Sequence, residues 1–260
     1  MKPPNFSARY GPWALVTGAS SGIGAEYAKQ LAKKELNVAL VARRKKPLGR
    51  IAEEIEKIHK VQSKIILADL TTKEGIEMVK TGTNDIEIGL LVNNAGREDS
   101  GHFLKTPVDQ YLNTLALNCE APLRLTHHYA GKMAARRKGG IIFMSSLVAF
   151  QGIPFVANYA ATKAYDLILS ESLSAEFKRH HIDVVAVAPG FTKTNLTSNF
   201  NFDGLPLRPL SPGLVARQGI TKLGNRRMTV PGAMNRLLYF TGKYLLPRSI
   251  NTVIGHGVIF

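Results

Sequence analysis

Tyr159 and Lys163 stand four residues apart at the start of a segment with strong helical patterning. That spacing puts both on one face, one turn apart. A lysine cation about 4 Å from a phenol, at an effective dielectric of about 20, favours the phenolate by roughly 4 kcal/mol. Such a field is expected to move a tyrosine pKa of about 10 by about three units towards neutrality. A phenol tuned this way exchanges a proton with an alcohol or carbonyl oxygen. The pair alone is not decisive, because Tyr-x-x-x-Lys also arises on helices with no chemical task.

A second feature is the glycine-rich stretch Thr17-Gly18-Ala19-Ser20-Ser21-Gly22-Ile23-Gly24, which follows the first apolar run. Its spacing is G-x-x-x-G-x-G. Gly18 permits a sharp turn, Gly22 lets backbone approach a pyrophosphate, and Gly24 lets a helix pack on a strand. The N-terminus of the following helix offers N–H groups to phosphates. At the end of the second apolar run an acidic residue would hold an adenosine ribose diol and favour NAD(H). The chain instead has Arg43-Arg44-Lys45-Lys46. A guanidinium there can fork onto a 2′-phosphate, so Arg43 is the candidate and NADP(H) is preferred over NAD(H). Asp69, after the third apolar run, is a candidate for the adenine amino group and equally a neighbour of a helix N-cap. Ser145 and Ser146 end another run and point to opposite faces of a strand.

Positioning these residues requires strands and crossovers in alternation. Apolar runs at 13–16, 38–42, 65–68, 90–92, 141–144 and 184–187 suit strands buried on both faces. Helical patterns lie between them at 23–34, 48–60, 73–81, 108–138 and 158–180. Alternating strands and helices predict an α/β fold with a parallel sheet and right-handed crossovers. Ser211 followed by Pro212 marks a later helix start. Residues 228–230 suggest a further strand and 234–246 a last helix.

The matches at Thr17 to Gly24, Asn93-Asn94-Ala95-Gly96, Asn118, Ser146, Tyr159 with Lys163, and Pro189-Gly190 with Thr194 fall in one order and spacing. Together they resemble the short-chain dehydrogenase/reductase family of the classical type, over residues 13 to about 195. The resemblance implies a Rossmann-type doubly wound parallel sheet of about seven strands, in the order 3-2-1-4-5-6-7. It implies one domain over 13–260 after a tail at 1–12, with a substrate lid near 191–212 and a C-terminal helical extension near 232–260. By the same analogy Tyr159 is the general acid/base and Lys163 lowers its pKa and bonds the nicotinamide ribose. Ser146, selected over Ser145 by the family's gap to the tyrosine, holds the reacting oxygen. Asn118 kinks its helix and links Lys163 to solvent. The implied cofactor contacts are Gly18, Ser20, Ser21, Gly22, Ile23 and Gly24 in the turn, then Arg43, Asp69 and Leu70. Asn94, Ala95, Gly96, Pro189, Gly190, Thr192 and Thr194 complete that set with Tyr159 and Lys163.

The expected activity is NADP(H)-dependent hydride transfer on a small-molecule carbonyl or alcohol. Phe191, Leu196, Phe200, Phe202, Leu205 and Leu207 in the lid suggest an apolar substrate: fatty-acyl, steroid-like or aromatic. A non-catalytic NADPH sensor is the alternative. The chain has 260 residues, 34 Lys and Arg against 19 Asp and Glu, and a formal net charge of +15. That charge attracts anions. The cations are scattered without interleaved stacking aromatics, so nucleic-acid binding is not expected. The single Cys119 excludes an internal disulfide and fits a cytoplasmic protein. No signal peptide or membrane-spanning run is expected. The adjacent pairs His127-His128 and His180-His181 do not share a helix face, so no metal site is expected. By family analogy the chain forms a homodimer or homotetramer through its long helices. The basic, apolar segment around Met234, Leu237, Leu238 and Leu245 suits packing, or a peripheral membrane contact.

Overall fold

The computed structural model describes residues 5–194 and 209–245. Seven parallel strands form one sheet in the order β3-β2-β1-β4-β5-β6-β7. The strands are β1 (Trp13–Thr17), β2 (Asn37–Ala42), β3 (Ser63–Leu67), β4 (Ile88–Asn93), β5 (Gly139–Met144), β6 (Ile182–Val187) and β7 (Met228–Thr229). The crossover helices are α2 (Gly22–Ala32), α3 (Lys45–His59), α4 (Lys73–Thr81), α5 (Val108–Leu115), α6 (Ala121–Arg136), α7 (Ala157–Glu176) and α8 (Pro212–Lys222). A short α1 (Phe6–Tyr10) precedes the sheet and α9 (Ala233–Tyr244) follows it. The expected strand order and fold class are therefore observed.

Continuous apolarity in the central strands reflects burial on both faces, and alternation divides the side chains between two cores. Val16, Leu40, Leu90, Val92 and Ile142 join Tyr27 and Leu31 of α2 on one face. Leu15, Val41, Leu91, Ile141 and Phe143 meet Leu125 and Tyr129 of α6 on the other. The edge strand β3 departs from expectation. Ile65 and Leu67 are exposed, because only β2 pairs with it.

Two further expectations change. Within the segment expected as a tail, Phe6–Tyr10 forms a helix and Tyr10 is buried in the first core. Its hydroxyl donates to Asp183 at 2.8 Å. The single helix expected over 108–138 is broken by a π-helical segment, Ala116–Glu120, between α5 and α6. At α8 the expected N-terminus is confirmed: the Ser211 hydroxyl accepts from the Leu214 N–H, with Pro212 in the first turn. The strand order reverses between β1 and β4. Ligands of open α/β sheets bind in the crevice beyond the strand ends at such a point.

Candidate functional site

The glycine turn leaves β1 at Thr17 and enters α2 at Gly22. Gly18 has φ +66°, a left-handed conformation that costs other residues energy. A Cβ on Gly24 would strike the Gly18 carbonyl and the Asn94 side chain, so only glycine lets α2 lie this close to the turn. Ser21 sits at the N-cap but its hydroxyl makes no capping bond. The first N–H groups of α2 are thus not capped by that side chain.

The Asn93-Asn94-Ala95-Gly96 segment locks this turn to β4. The Thr17 hydroxyl donates to Val92 O at 3.1 Å and accepts from the N–H groups of Asn94 and Ala95, both at 2.9 Å. The Asn94 amide donates to Thr17 O at 2.8 Å. Leu70 is buried in the second core and Ile23 packs against the first, leaving their backbones for any ligand contact.

Arg43 lies 3.6 Å from the Asp69 carboxylate, and both side chains are well exposed. Burial tends to raise the Asp69 pKa, but bonds from the Thr71 N–H and hydroxyl, with Arg43, hold it below the ordinary value. The neighbouring Arg44 was not singled out from sequence. Its guanidinium donates to the hydroxyls of both Ser20 and Ser21, each at 3.2 Å, and so lies across the glycine turn. Four consecutive cations gave no signal for which one reaches the glycine turn.

The remaining candidates gather beyond the ends of β4 and β5. Lys163 is buried one turn along α7 from Tyr159, with its Nζ 6.0 Å from the Tyr159 ring centroid. Ser146 acts on the Tyr159 phenol and lowers its pKa, whereas the Ser145 hydroxyl donates to Lys163 O at 2.7 Å. Alternation along the strand thus separates the two serines, and Ser146 faces the phenol. Asn118 is buried in the π-helical segment. Its amide donates to Arg97 O at 2.9 Å and the Thr162 hydroxyl at 3.0 Å, and its Oδ1 accepts from the Arg97 N–H at 3.0 Å. It therefore ties the loop after β4 to α7. A Cβ on Gly96 would stand 3.4 Å from Asn118 Oδ1 and 3.5 Å from Lys163 Nζ, so this loop passes directly over both.

The acidity of Tyr159 runs opposite to the sequence expectation. Burial raises its pKa above the ordinary value, and Lys163 and the Ser146 bond do not overcome it; Glu98 and Asp166 add to the rise. The sequence argument counted only the lysine. In the fold Lys163 Nζ also donates to Asp166 Oδ2 at 3.0 Å and to Met144 O at 2.9 Å. Asp166 had a visible signal, its i+3 spacing from Lys163. From sequence, Glu98 and Asp99 after Asn-Asn-Ala-Gly read as exposed loop charges or as groups reaching the substrate mouth. Asp99 is instead buried, and accepts from the Asn158 amide at 2.5 Å. Burial raises the Glu98 carboxyl, with Ser100 opposing that rise.

Pro189 and Gly190 follow β6, and Pro189 O accepts from the Leu147 N–H at 2.9 Å. Gly190 abuts Asn235 of α9. Thr192 bridges to Leu210, closing the base of the expected lid. The Thr194 side chain lies beside Gly22. Lid residues Leu196, Phe200, Phe202, Leu205 and Leu207 lie outside the described residues. Among the described residues there is no cluster of metal-ligating side chains, and no helix long and apolar enough to cross a membrane.

The short chain dehydrogenase family model matches residues 12–203. A 7beta-hydroxysteroid dehydrogenase from Clostridium sardiniense is 30% identical over 234 residues, covering 89% of this chain and 90% of that protein. A solved structure from work on 7beta-hydroxysteroid dehydrogenase stereoselectivity superposes with TM-score 0.90 at 26% identity, covering 97% of this chain and 99% of that one. A short-chain dehydrogenase from Sphingobium yanoikuyae, solved in complex with NADPH, superposes with TM-score 0.79 at 31% identity, covering 89% and 92%. With the glycine turn, the strand order and the tyrosine–lysine pair in place, the chain belongs to the short chain dehydrogenase family.

Proposed function

We propose that the protein is an NADP(H)-dependent oxidoreductase that interconverts a carbonyl and an alcohol on an apolar small molecule. The observation that carries this reading is the Tyr159 phenol, on which Ser146 and Lys163 both act, with Lys163 one turn away along α7, beyond the strand ends. The fit to a dinucleotide rests on a turn that tolerates no side chain at Gly24 and on the uncapped start of α2. Those N–H groups would hold the pyrophosphate. Arg44, with Arg43, would hold a 2′-phosphate, and Asp69 the adenine. Pro189, Gly190, Thr192 and Thr194 would border the nicotinamide end. When bound, the nicotinamide supplies or accepts the hydride.

The chain's own residues manage the proton. Ser146 orients the substrate oxygen against the Tyr159 hydroxyl, which donates its proton during reduction and takes one back during oxidation. Lys163 offsets the cost of the phenolate left behind. Asn118 holds the π-helical segment and the loop after β4 in register with α7. The substrate class is supported by the hydroxysteroid relative and by the apolar composition of the lid. On this reading the protein works as a homo-oligomer. The exposed Val108, Leu112, Leu115 and Ile168 on α5 and α7 would be covered by a second copy.

Initial rates with NADPH and with NADH across a panel of hydroxysteroids, ketosteroids and aromatic ketones test the reading. Turnover with NADPH and an apolar ketone is expected. NADPH binding without turnover of any carbonyl, unchanged in Tyr159→Phe, would instead establish the sensor alternative.

A further inference from the structure

We infer that Asp166 is the counter-ion that keeps Lys163 cationic inside the protein, and is thereby a positioning residue for the tyrosine–lysine pair. The inference rests on the proposed role of Lys163. The two charges meet at 3.0 Å on one face of α7, with side chains only 6% and 4% exposed. Among the described residues Lys163 Nζ has one further bond, to the neutral carbonyl of Met144 at the end of β5. The second oxygen of Asp166 is buried with no donor among the described residues. The carboxylate is thus committed to this lysine.

A buried ammonium without a counter-charge loses its proton, with pKa falling by up to about 3–5 units. Burial is indeed the largest influence on Lys163 and pulls it down, yet Asp166 and Tyr159 outweigh it and leave the lysine above its ordinary value. The other titratable groups acting here are Tyr159 and Tyr165 on α7, Cys119 on the π-helical segment, and Glu98, which acts on Tyr159 from the loop after β4. Burial pushes the Cys119 thiol up to about 12, and it raises Tyr159 and Tyr165, so all three are neutral at pH 7. Asp166 therefore supplies the full negative charge in contact with Lys163. Without it Lys163 would titrate within the working pH range, and Tyr159 would lose the cation that stabilises its phenolate.

The test is competitive trace acetylation of the full chain without cofactor, with the Lys163 peptide quantified by mass spectrometry against pH. In Asp166→Asn the apparent pKa of Lys163 is expected to fall by about two to three units, and Asp166→Glu is expected to restore most of it. The kcat for reduction by Asp166→Asn should then decline above that new pKa, a limb the wild type lacks. An unchanged lysine pKa in a folded Asp166→Asn overturns the inference. Should that variant not fold, a wild-type Lys163 titrating below that of a free lysine overturns it equally. The labelling needs no turnover. A protein that shows the shift but reduces nothing keeps the ion-pair inference and loses the catalytic reading.

Discussion

Replacing Arg44 by alanine separates recognition of the 2′-phosphate from recognition of the rest of the dinucleotide. In the structure its guanidinium spans the Ser20 and Ser21 hydroxyls at 3.2 Å, at the mouth of the glycine turn. Arg43 is 71% exposed and leans on Asp69 at 3.6 Å, so part of its charge is already offset. A hydrogen bond to a charged group is worth about 1.5–3 kcal/mol. Solvent screening of an exposed cation favours the lower end of that range. A loss of about 1.5–2 kcal/mol corresponds to roughly a 10–30-fold rise in the KM for NADPH. NADH has no phosphate at that position, so its KM is expected to stay within about twofold. Arg43→Ala should raise the NADPH KM by only about threefold, in line with a weak exposed contact of about 0.7 kcal/mol. Initial rates on one ketone with each cofactor measure all four values. An equal loss with NADPH and NADH, or a larger effect at Arg43 than at Arg44, refutes this account of cofactor choice.

Three other outcomes follow from the same geometry. Tyr159→Phe removes the proposed proton donor and is expected to lower kcat by about 10²–10⁴-fold while leaving the NADPH Kd unchanged; single-turnover rates and fluorescence titration measure the two separately. Leu91→Ala in the fully buried core of β4 should cost about 2–5 kcal/mol, read as a lower midpoint in urea, and a change under 1 kcal/mol would contradict the packing described. Burial pushes the Asp166 carboxyl up to about 6, with Lys163 only partly opposing it. The folded chain therefore holds that proton more tightly than the unfolded chain, whose aspartates titrate near 4. The stability this gives is fully present below about pH 4 and lost as pH rises through about 6. Subtracting the melting curve of Asp166→Asn from that of the wild type should isolate this falling component, and parallel pH profiles would contradict it.

The sheet was legible because its central strands are unbroken apolar runs, and their order followed from the family resemblance. The ends were less so. β3 carries the same apolar signature as its neighbours, yet as an edge strand it exposes Ile65 and Leu67. Nothing in the residues 6–10 has enough periodicity to announce a helix, and what holds it is tertiary: Tyr10 is buried in the first core, and Tyr10 and Arg9 both meet Asp183 of β6. The π-helical turn around Asn118 was signalled by the family resemblance, which implies a kink at Asn118, and not by the periodicity. Apolar spacing over 108–138 fits a continuous helix, and the break is sustained by tertiary bonds from Asn118 to Arg97 and Thr162. In the site, residue types and spacing named Tyr159 and Lys163, and the family resemblance selected Ser146 over Ser145. They did not reveal the burial of Asp99 or the reach of Arg44 across the glycine turn, which depend on where the chain goes next.

The electrostatics of the site qualify what a tyrosine–lysine pair means. Spacing alone argues for an acidic phenol. In the protein the same lysine serves a carboxylate and a phenol: it bonds Asp166 at 3.0 Å and lies 6.0 Å from the Tyr159 ring centroid. Burial, Glu98 and Asp166 together hold the phenol protonated at neutral pH against the pull of Lys163 and Ser146. A protonated Tyr159 is the form that donates to a carbonyl oxygen, while alcohol oxidation requires the phenolate and so a higher pH. On the proposed mechanism the lysine's role is then differential. Its field matters little while the phenol is neutral, and most when the proton has left and negative charge develops beside it. A buried ammonium can serve that moment only if it is still charged when the moment comes, which is the condition Asp166 maintains.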